Sequence, residues 1–212
     1  MKQRKVNASK ELLAIHTAVF LFGGAGLFAK LIPMSALLLT LGRALFSSLA
    51  LYMFIHFKKY SLRFHRMRDY FWNIIAGVFL TIHWIFFILS IQVSTVYIGT
   101  ITFATYPMFV MVLEPRVFKE KFEPCHLFSL INRKLSLSYD SVVITLYEQT
   151  VVTLILTLAI SLFQIPLGHG NTFDFISLII YGVVFTALAH SLYIHGLKKV
   201  KTQIASIISV LE

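Results

Sequence analysis

The sequence of 212 residues has few charged side chains and almost no cysteine, since charged residues make up 13% of it and cysteine occurs once. A soluble domain carries about 25% charged residues, so a chain with about half that share could not cover a water-facing surface. A single cysteine excludes a secreted scaffold held by disulfides. Together these shortages exclude an ordinary cytosolic enzyme, and the low charge also excludes a disordered chain.

Apolar residues take the place of the missing charge. They make up 58% of the sequence, aromatic residues alone 15%, and the mean hydropathy is +0.80. This composition is typical of a polytopic membrane protein. The formal net charge is +10, which in a soluble protein would suggest nucleic-acid binding. The positions of the charges therefore have to decide between a nucleic acid and a membrane as the partner.

Long apolar runs divide the sequence into predicted membrane spans. A helix rises 1.5 Å per residue, so about 20 apolar residues cross a hydrocarbon core about 30 Å thick. We predict an all-α integral membrane protein, a helical bundle of six full transmembrane spans plus a partial seventh. The full spans are residues 12–31, 34–57, 71–91, 95–113, 142–165 and 173–195, and the partial span is 202–212.

The basic residues lie between alternate spans. Of the 19 Lys and Arg residues, all but Lys30 and Arg43 precede the first span or follow the second, fourth or sixth, and the other turns carry none. This pattern obeys the positive-inside rule if the N-terminus is cytoplasmic. It predicts a multi-pass protein of a bacterial inner (plasma) membrane, with the lipid bilayer and not a nucleic acid as its partner.

A weak internal repeat links the two halves of the sequence. Residues 77–81 in the third span are echoed by 182–186 in the sixth, and residues 93–95 by 200–202, about 105 residues later. The charge pattern orients the third and sixth spans in opposite directions. The halves are therefore predicted to form an inverted repeat, the construction of many secondary transporters.

Five segments resemble a known family. They read AVFLFGGAGLFAKLI, LGRALFSSLALY, WIFFILSIQVSTVYIGTITFATYPMFVMVLEP, NRKLS and ASIISVLE. These segments resemble the EamA-type members of the drug/metabolite transporter superfamily, in two blocks at about residues 10–122 and 130–212. The resemblance implies ten helices in two five-helix inverted repeats, with both termini inside. It also implies movement of small metabolites or drugs across a bacterial inner membrane.

The chain departs from that family's pattern in two places. The fifth and sixth helices, expected between Phe122 and Asn132, are absent, and the ninth stops part-way while the tenth is missing. The resemblance therefore implies an internal deletion and a C-terminal truncation. The domains are then a first repeat at 1–122, a cytoplasmic seam at 123–141 and an incomplete second repeat at 142–212.

Two charged residues inside predicted spans are candidates for the substrate pathway. Arg43 lies near the middle of the second span, where an arginine costs about 2.5–3.5 kcal/mol on insertion scales. It either binds an anionic substrate group or a gating carboxylate, or it makes a structural salt bridge or snorkels. Glu148 aligns almost opposite Arg43 in the repeat, so either the two residues pair or Glu148 reaches water near the end of its helix.

Aromatic residues and a proline complete the candidate pathway. Trp84 lies well inside the third span, where it either lines a cavity or faces lipid. Tyr106 and Pro107 belong to the fourth span. Pro107 removes a backbone hydrogen bond, which either breaks the helix at a transport site or only kinks it for packing.

Three histidines inside predicted spans are candidates for proton coupling. A histidine can relay protons near neutral pH, so His16, His83 and His190, together with Glu148, are the candidate proton carriers. The alternative is that each is a satisfied interior histidine. The histidines lack metal-ligand spacing, and the sequence shows no nucleophile–base arrangement and no phosphate-cradling loop. We therefore predict no metal, no cofactor and no enzymatic activity.

The predicted function is an inner-membrane transporter for an unknown small molecule, working by alternating access and driven by a proton or sodium gradient. One alternative is a truncated transporter remnant that is inactive alone, or that assembles as a homo-oligomer. Another is a non-transport membrane protein that binds partners through the basic residues after the second span, Arg63, Arg66 and Arg68.

The predicted topology can be tested with reporter tags. Tags inserted at Tyr60, in a basic loop, and at Gly170, in a turn without basic residues, are expected to report opposite compartments because an odd number of predicted spans separates them. Labelling with a membrane-impermeant reagent before and after permeabilisation measures this. Both tags on the same side would contradict the topology.

Overall fold

The computed structural model describes residues 9–95, 131–165 and 171–200, together with Ile204, Ala205 and Ile208. Five long helices run through the described residues, each with at least 18 residues and apolar enough to cross a membrane. They are α1 Ser9–Leu31, α2 Ala36–Lys58, α3 Met67–Val93, α4 Ser141–Leu162 and α5 Thr172–Gly196.

These helices confirm the all-α membrane class and five of the predicted spans. The predicted fourth span, 95–113, lies outside the described residues except for Thr95, and so does most of the partial seventh, 202–212. The described part of the chain thus accounts for five spans of the predicted six and a half.

Several helix ends differ from the limits of the apolar runs. α2 begins at Ala36 because the Ser35 side-chain oxygen accepts the N–H of Leu38 at 3.3 Å. α3 begins at Met67, earlier than the predicted residue 71, because its first turn is polar and hydropathy does not detect it. α4 ends at Leu162, before the predicted residue 165. Hydropathy therefore located these helices but not their first and last turns.

The outer surface of the bundle is apolar, and charged and polar side chains are buried in its interior among a larger number of apolar ones. Phe20, Phe86 and Leu158 are 80%, 65% and 61% exposed. Arg43 and Glu148, by contrast, are buried among the helices. Large exposed apolar side chains are stable in contact with lipid, so this distribution agrees with a membrane-embedded bundle.

One end of the bundle, here named the basic end, gathers basic segments that are far apart in sequence. Glu11 at the start of α1 forms an ion pair with Lys199, just after α5, at 2.5 Å. The Tyr147 hydroxyl, near the start of α4, donates to the carbonyl of Leu62 in the α2–α3 loop at 2.9 Å. The start of α1, the α2–α3 loop, the start of α4 and the end of α5 therefore share one end.

The opposite end is joined by other polar contacts. The Gln92 amide, near the end of α3, donates to the carbonyl of Met34 before α2 at 2.7 Å. The Lys30 ammonium donates to the carbonyls of Ile91 and Ser94 at 3.4 and 3.2 Å, at the C-terminal end of α3 where a cation is favourable. The end of α1, the start of α2 and the end of α3 meet there, so α3 and α5 run in opposite directions.

α5 contains a widened turn. Residues Val183–Leu188 form a π-helix, and within it the Thr186 hydroxyl donates to the carbonyl of Tyr181, five residues back, at 3.0 Å. In α3 the Thr81 hydroxyl donates to the carbonyl of Gly77, four residues back as in an ordinary helix, at 2.8 Å. Single π turns inside α-helices frequently occur at functional sites.

Two glycines allow helices to touch closely. A Cβ on Gly77 would lie 2.7 Å from the Cβ of Val151 in α4, and one on Gly182 would lie 2.7 Å from the Cβ of Phe46 in α2. Atoms at such distances clash, so only glycine fits at either position. α3 therefore packs directly on α4, and α5 packs directly on α2.

Replacing Gly182 is expected to destabilise the bundle. In Gly182→Ala the new methyl would also lie 2.9 Å from the backbone oxygen of Arg43, which cannot move away easily. Overpacking typically costs about 1–3 kcal/mol, more than the roughly 1 kcal/mol that alanine contributes to helix propensity. Unfolding by sodium dodecyl sulfate measures this difference. Val183→Ala, at the next and more exposed position, should change stability by less than about 0.5 kcal/mol.

Candidate functional site

A buried arginine stands at the centre of the polar interior. Arg43 of α2 is 2% exposed. Its Nε donates to the Thr186 hydroxyl at 2.9 Å, and its Nη1 donates to the Tyr181 hydroxyl at 2.7 Å. The guanidinium carbon lies 3.9 Å from the Trp84 ring centroid and 4.4 Å from that of Tyr181. We call Arg43, Trp84, Tyr181 and Thr186 the arginine cage.

Three helices build the arginine cage. α2 supplies the arginine, α3 supplies Trp84, and α5 supplies Tyr181 and Thr186 on either side of the start of its π turn. The Tyr181 ring is further held by Phe28 of α1, which stacks on it with centroids 5.6 Å apart. Trp84 is 6% exposed, so the interpretation that it faces lipid is wrong and it belongs to the interior wall.

The charge of Arg43 is stabilised by neutral groups. Two hydroxyls accept its hydrogen bonds, and two aromatic faces lie within reach of its positive charge, an attraction of about 2 kcal/mol or more when desolvated. Within the described segments, no carboxylate lies within ion-pairing distance of the guanidinium. The cage is therefore an oriented cation whose balancing negative charge does not come from the described residues.

The second buried pair joins α4 to α5. Glu148 Oε2 lies 2.8 Å from His190 Nε2. Glu148 is 0% exposed, so the interpretation that it reaches water is wrong. The predicted pair of Glu148 with Arg43 is not formed either, because α5 presents His190 to the carboxylate. The carboxylate and the imidazole are therefore within hydrogen-bonding distance of each other inside the bundle.

Trp84 lies between these two centres. Its ring stands edge-on to that of His190 with centroids 6.0 Å apart, while its face covers Arg43. A movement of α3 would therefore affect the surroundings of the buried cation and of the Glu148–His190 pair at the same time.

Several buried polar atoms in the same interior have no hydrogen-bond partner among the described residues. They include Glu148 Oε1, both side-chain polar atoms of Gln149, Ser47 Oγ and Ser191 Oγ. Each such atom costs about 1–3 kcal/mol when left unsatisfied. Such atoms are able to bind water, a substrate or another polypeptide segment.

Of the remaining predicted site residues, His83 lies within electrostatic reach of Arg43 and His190. His16 lies on the exposed face of α1, where its Nδ1 is 2.9 Å from the carbonyl of Leu12 in its own helix. His83 lies on an exposed part of α3, and its ring is nearly parallel to that of Phe87 at 6.4 Å. Tyr106 and Pro107 lie outside the described residues.

Sequence reasoning missed Tyr181, Thr186 and Gln149. Thr186 closes the repeated segment 182–186 and corresponds to Thr81, so the repeat offered a signal for it. Gln149 follows Glu148 directly, and two polar residues in succession inside an apolar span were a signal as well. Tyr181 had none, because tyrosines are common in membrane spans and nothing in the sequence sets this one apart.

Comparison with protein-family models finds one match. The model described as "EamA-like transporter family" matches residues 9–132. This range is more than half of the chain and includes α1, α2 and α3, with Arg43 and Trp84, whereas Glu148 and His190 lie beyond it. Searches of curated proteins and of solved structures gave no match.

The pairing of Glu148 can be tested with a double-mutant cycle. Glu148→Gln and His190→Asn should show a coupling energy of about 0.5–2 kcal/mol, the range of buried hydrogen bonds inside membranes. Unfolding by sodium dodecyl sulfate again provides the free energies. The control cycle combines Glu148→Gln with Arg43→Gln and is expected to give less than about 0.5 kcal/mol. A larger coupling to Arg43 than to His190 would refute the arrangement.

Proposed function

We propose, because this chain belongs to the EamA-like transporter family, that it moves a small metabolite or drug across a membrane by alternating access. The membrane is a bacterial inner membrane, and the N-terminus and the basic end face the cytoplasm, as the positive-inside rule requires. The substrate site is the arginine cage and the polar interior beside it.

The observation that carries this proposal is the buried arginine. A charged side chain inside a membrane bundle is rare, and it marks a substrate or ion pathway more often than a purely structural contact. Arg43 is nearly inaccessible to solvent, and its partners orient it without neutralising it. A substrate entering the polar interior would meet an oriented cation and two aromatic faces.

Alternating access by two inverted halves is supported by the helix contacts. Gly77 of α3 packs on α4 with its Cβ position 3.3 Å from the backbone oxygen of Glu148, and Gly182 of α5 packs on α2 at 2.9 Å from that of Arg43. Gly77 and Gly182 are about 105 residues apart, and so are Arg43 and Glu148. This is the spacing of the sequence repeat. α3 and α5 run in opposite directions, as inverted repeats require.

A proton is the coupling ion that fits the interior better than sodium. The Glu148–His190 pair is buried and can hold a proton in either of two ways. A sodium site, by contrast, is formed by oxygen ligands such as the unwound carbonyls of broken helices. In our proposal, proton release from this pair is sensed at the arginine cage through Trp84.

The second candidate function is a transporter remnant that is inactive alone. The buried polar atoms of Gln149, Ser47 and Ser191 favour it, because they have no partner among the described residues and a membrane interior requires one. A second copy of the chain in a homo-oligomer could supply that partner. Detergent-solubilised mass and protease protection distinguish a defined oligomer from an unstable remnant.

Transport by the reconstituted full-length chain tests the proposal. Liposomes are loaded with a pH-sensitive dye and tested for uptake of radiolabelled amino acids, radiolabelled sugars and ethidium. Arg43→Gln is expected to lower the initial rate at least about tenfold, because the charge-assisted contact it removes contributes about 1.5–3 kcal/mol. His16→Gln, on the exposed face of α1, should leave the rate unchanged.

The outcomes separate the two candidate functions. The transporter is supported if uptake exceeds that of empty liposomes, if Arg43→Gln lowers it at least about tenfold, and if Glu148→Gln makes it independent of the pH gradient. Uptake of no probe, from a chain that is monodisperse and correctly oriented, would refute transport and leave the remnant.

A further inference from the structure

A second polar site lies at the basic end, away from the arginine cage. A cavity of about 290 Å³ opens there between the α2–α3 loop, the residues before α4 and the chain after α5. Its volume is at the lower end of small-molecule sites, which measure about 300–1,000 Å³. The side chains that decide its chemistry are Arg63, His65, Ser138, Asp140 and Lys198.

The wall that carries Arg63 and His65 is a built surface and not a loose loop. Between these two residues the ring of Phe64 packs against three tyrosines, with centroids 4.8 Å from Tyr70, 4.5 Å from Tyr139 and 4.9 Å from Tyr147. Phe64 is buried despite its place in a connecting segment. The loop is therefore fixed to α3 and α4 by an aromatic core of its own.

Tyrosine hydroxyls fix the backbone of the same loop. The Tyr139 hydroxyl accepts the N–H of His65 at 2.8 Å and donates to Asp69 Oδ2 at 2.7 Å. Burial and the bond to Asp69 raise the pKa of Tyr139, so its hydroxyl stays protonated at neutral pH. The Tyr70 hydroxyl accepts the N–H of Phe64 at 3.1 Å. The backbone of Phe64 and His65, directly after Arg63, is therefore held in place before any ligand arrives.

The charges of the cavity favour an oxyanion. Arg63 approaches from the loop and Lys198 from the end of α5, so two cations from distant parts of the sequence line one space. Ser138 adds a hydroxyl, and His65 adds an imidazole. Asp140 opposes them with one negative charge and makes no capping bond to its own helix. A ligand with several acceptor oxygens can use both cations and the hydroxyl together.

We propose that this cavity binds a phosphate group, either as the headgroup of an anionic phospholipid or as a small soluble phosphate. Phosphate offers oxygens in several directions, which matches donors that converge from the loop, from the segment before α4 and from the end of α5. Basic pockets at the cytoplasmic end of membrane helices bind phospholipid headgroups by this chemistry. The site goes beyond the proposed transport function and does not depend on it.

The test uses the full-length chain in a neutral detergent, with three probes. Inorganic phosphate represents the soluble source, short-chain dihexanoyl phosphatidylglycerol the anionic lipid, and dihexanoyl phosphatidylcholine the zwitterionic control. Phosphorus NMR line broadening reports binding of each probe. Saturable binding of phosphate, phosphatidylglycerol or both is expected, and the probe that binds more tightly identifies the source.

Matched variants separate a site from general attraction to a basic surface. Arg63→Gln with Lys198→Gln should weaken binding at least about tenfold. The control double variant, Arg68→Gln with Lys58→Gln, removes the same charge from residues outside the cavity and should change affinity less than about threefold. Asp140→Asn removes the opposing charge, and no capping bond is lost because Asp140 makes none, so it should tighten binding.

Two results would overturn the proposal. One is that neither phosphate nor phosphatidylglycerol binds saturably. The other is that the control double variant weakens binding as much as the cavity variant, which would make the effect one of net charge alone. The fluorescence spectrum of Trp72 and Trp84 shows that each variant is folded, and Asp140→Asn gives a gain that unfolding cannot imitate.

Discussion

The structure depends on keeping one positive charge inside a bundle whose outer surface is hydrocarbon-like. Arg43 satisfies this constraint without a described carboxylate, through two hydroxyls and two aromatic faces. Each partner comes from a particular turn of a neighbouring helix, so the arginine fixes the rotation of α3 and α5 relative to α2.

The π turn of α5 is a part of this arrangement. It comes directly after Gly182, where α5 touches α2, and it places the Thr186 hydroxyl against both the Tyr181 carbonyl and the arginine. In α3 the corresponding Thr81 is bonded within an ordinary helical turn. α3 and α5 therefore share a close glycine contact with a neighbouring helix and differ in the helical turn after that glycine.

Hydropathy and charge placement predicted five of the spans, because the membrane imposes one length and one composition on every helix that crosses it. Arg43, Trp84, Glu148 and His190 could be selected because polar residues and a tryptophan are conspicuous in apolar runs.

The side chains that these buried residues contact could not be predicted. Whether Glu148 faces Arg43 or His190 depends on helix rotation, and no local sequence signal announced the π turn that brings Thr186 to the cage. The capping side chain of Ser35, and not the limit of the apolar run, sets the start of α2.

The aromatic core around Phe64 has a mechanical consequence for the bundle. It joins the turn between α2 and α3 to the beginning of α4, so these three helices are bolted together at one end. When helices are joined at one end, their opposite ends can separate while the joined ends stay in contact. Separating the helices at the opposite end would then need only small rotations around Phe64. Separating them at the basic end would require removing the Phe64 ring from its contacts with the three tyrosines.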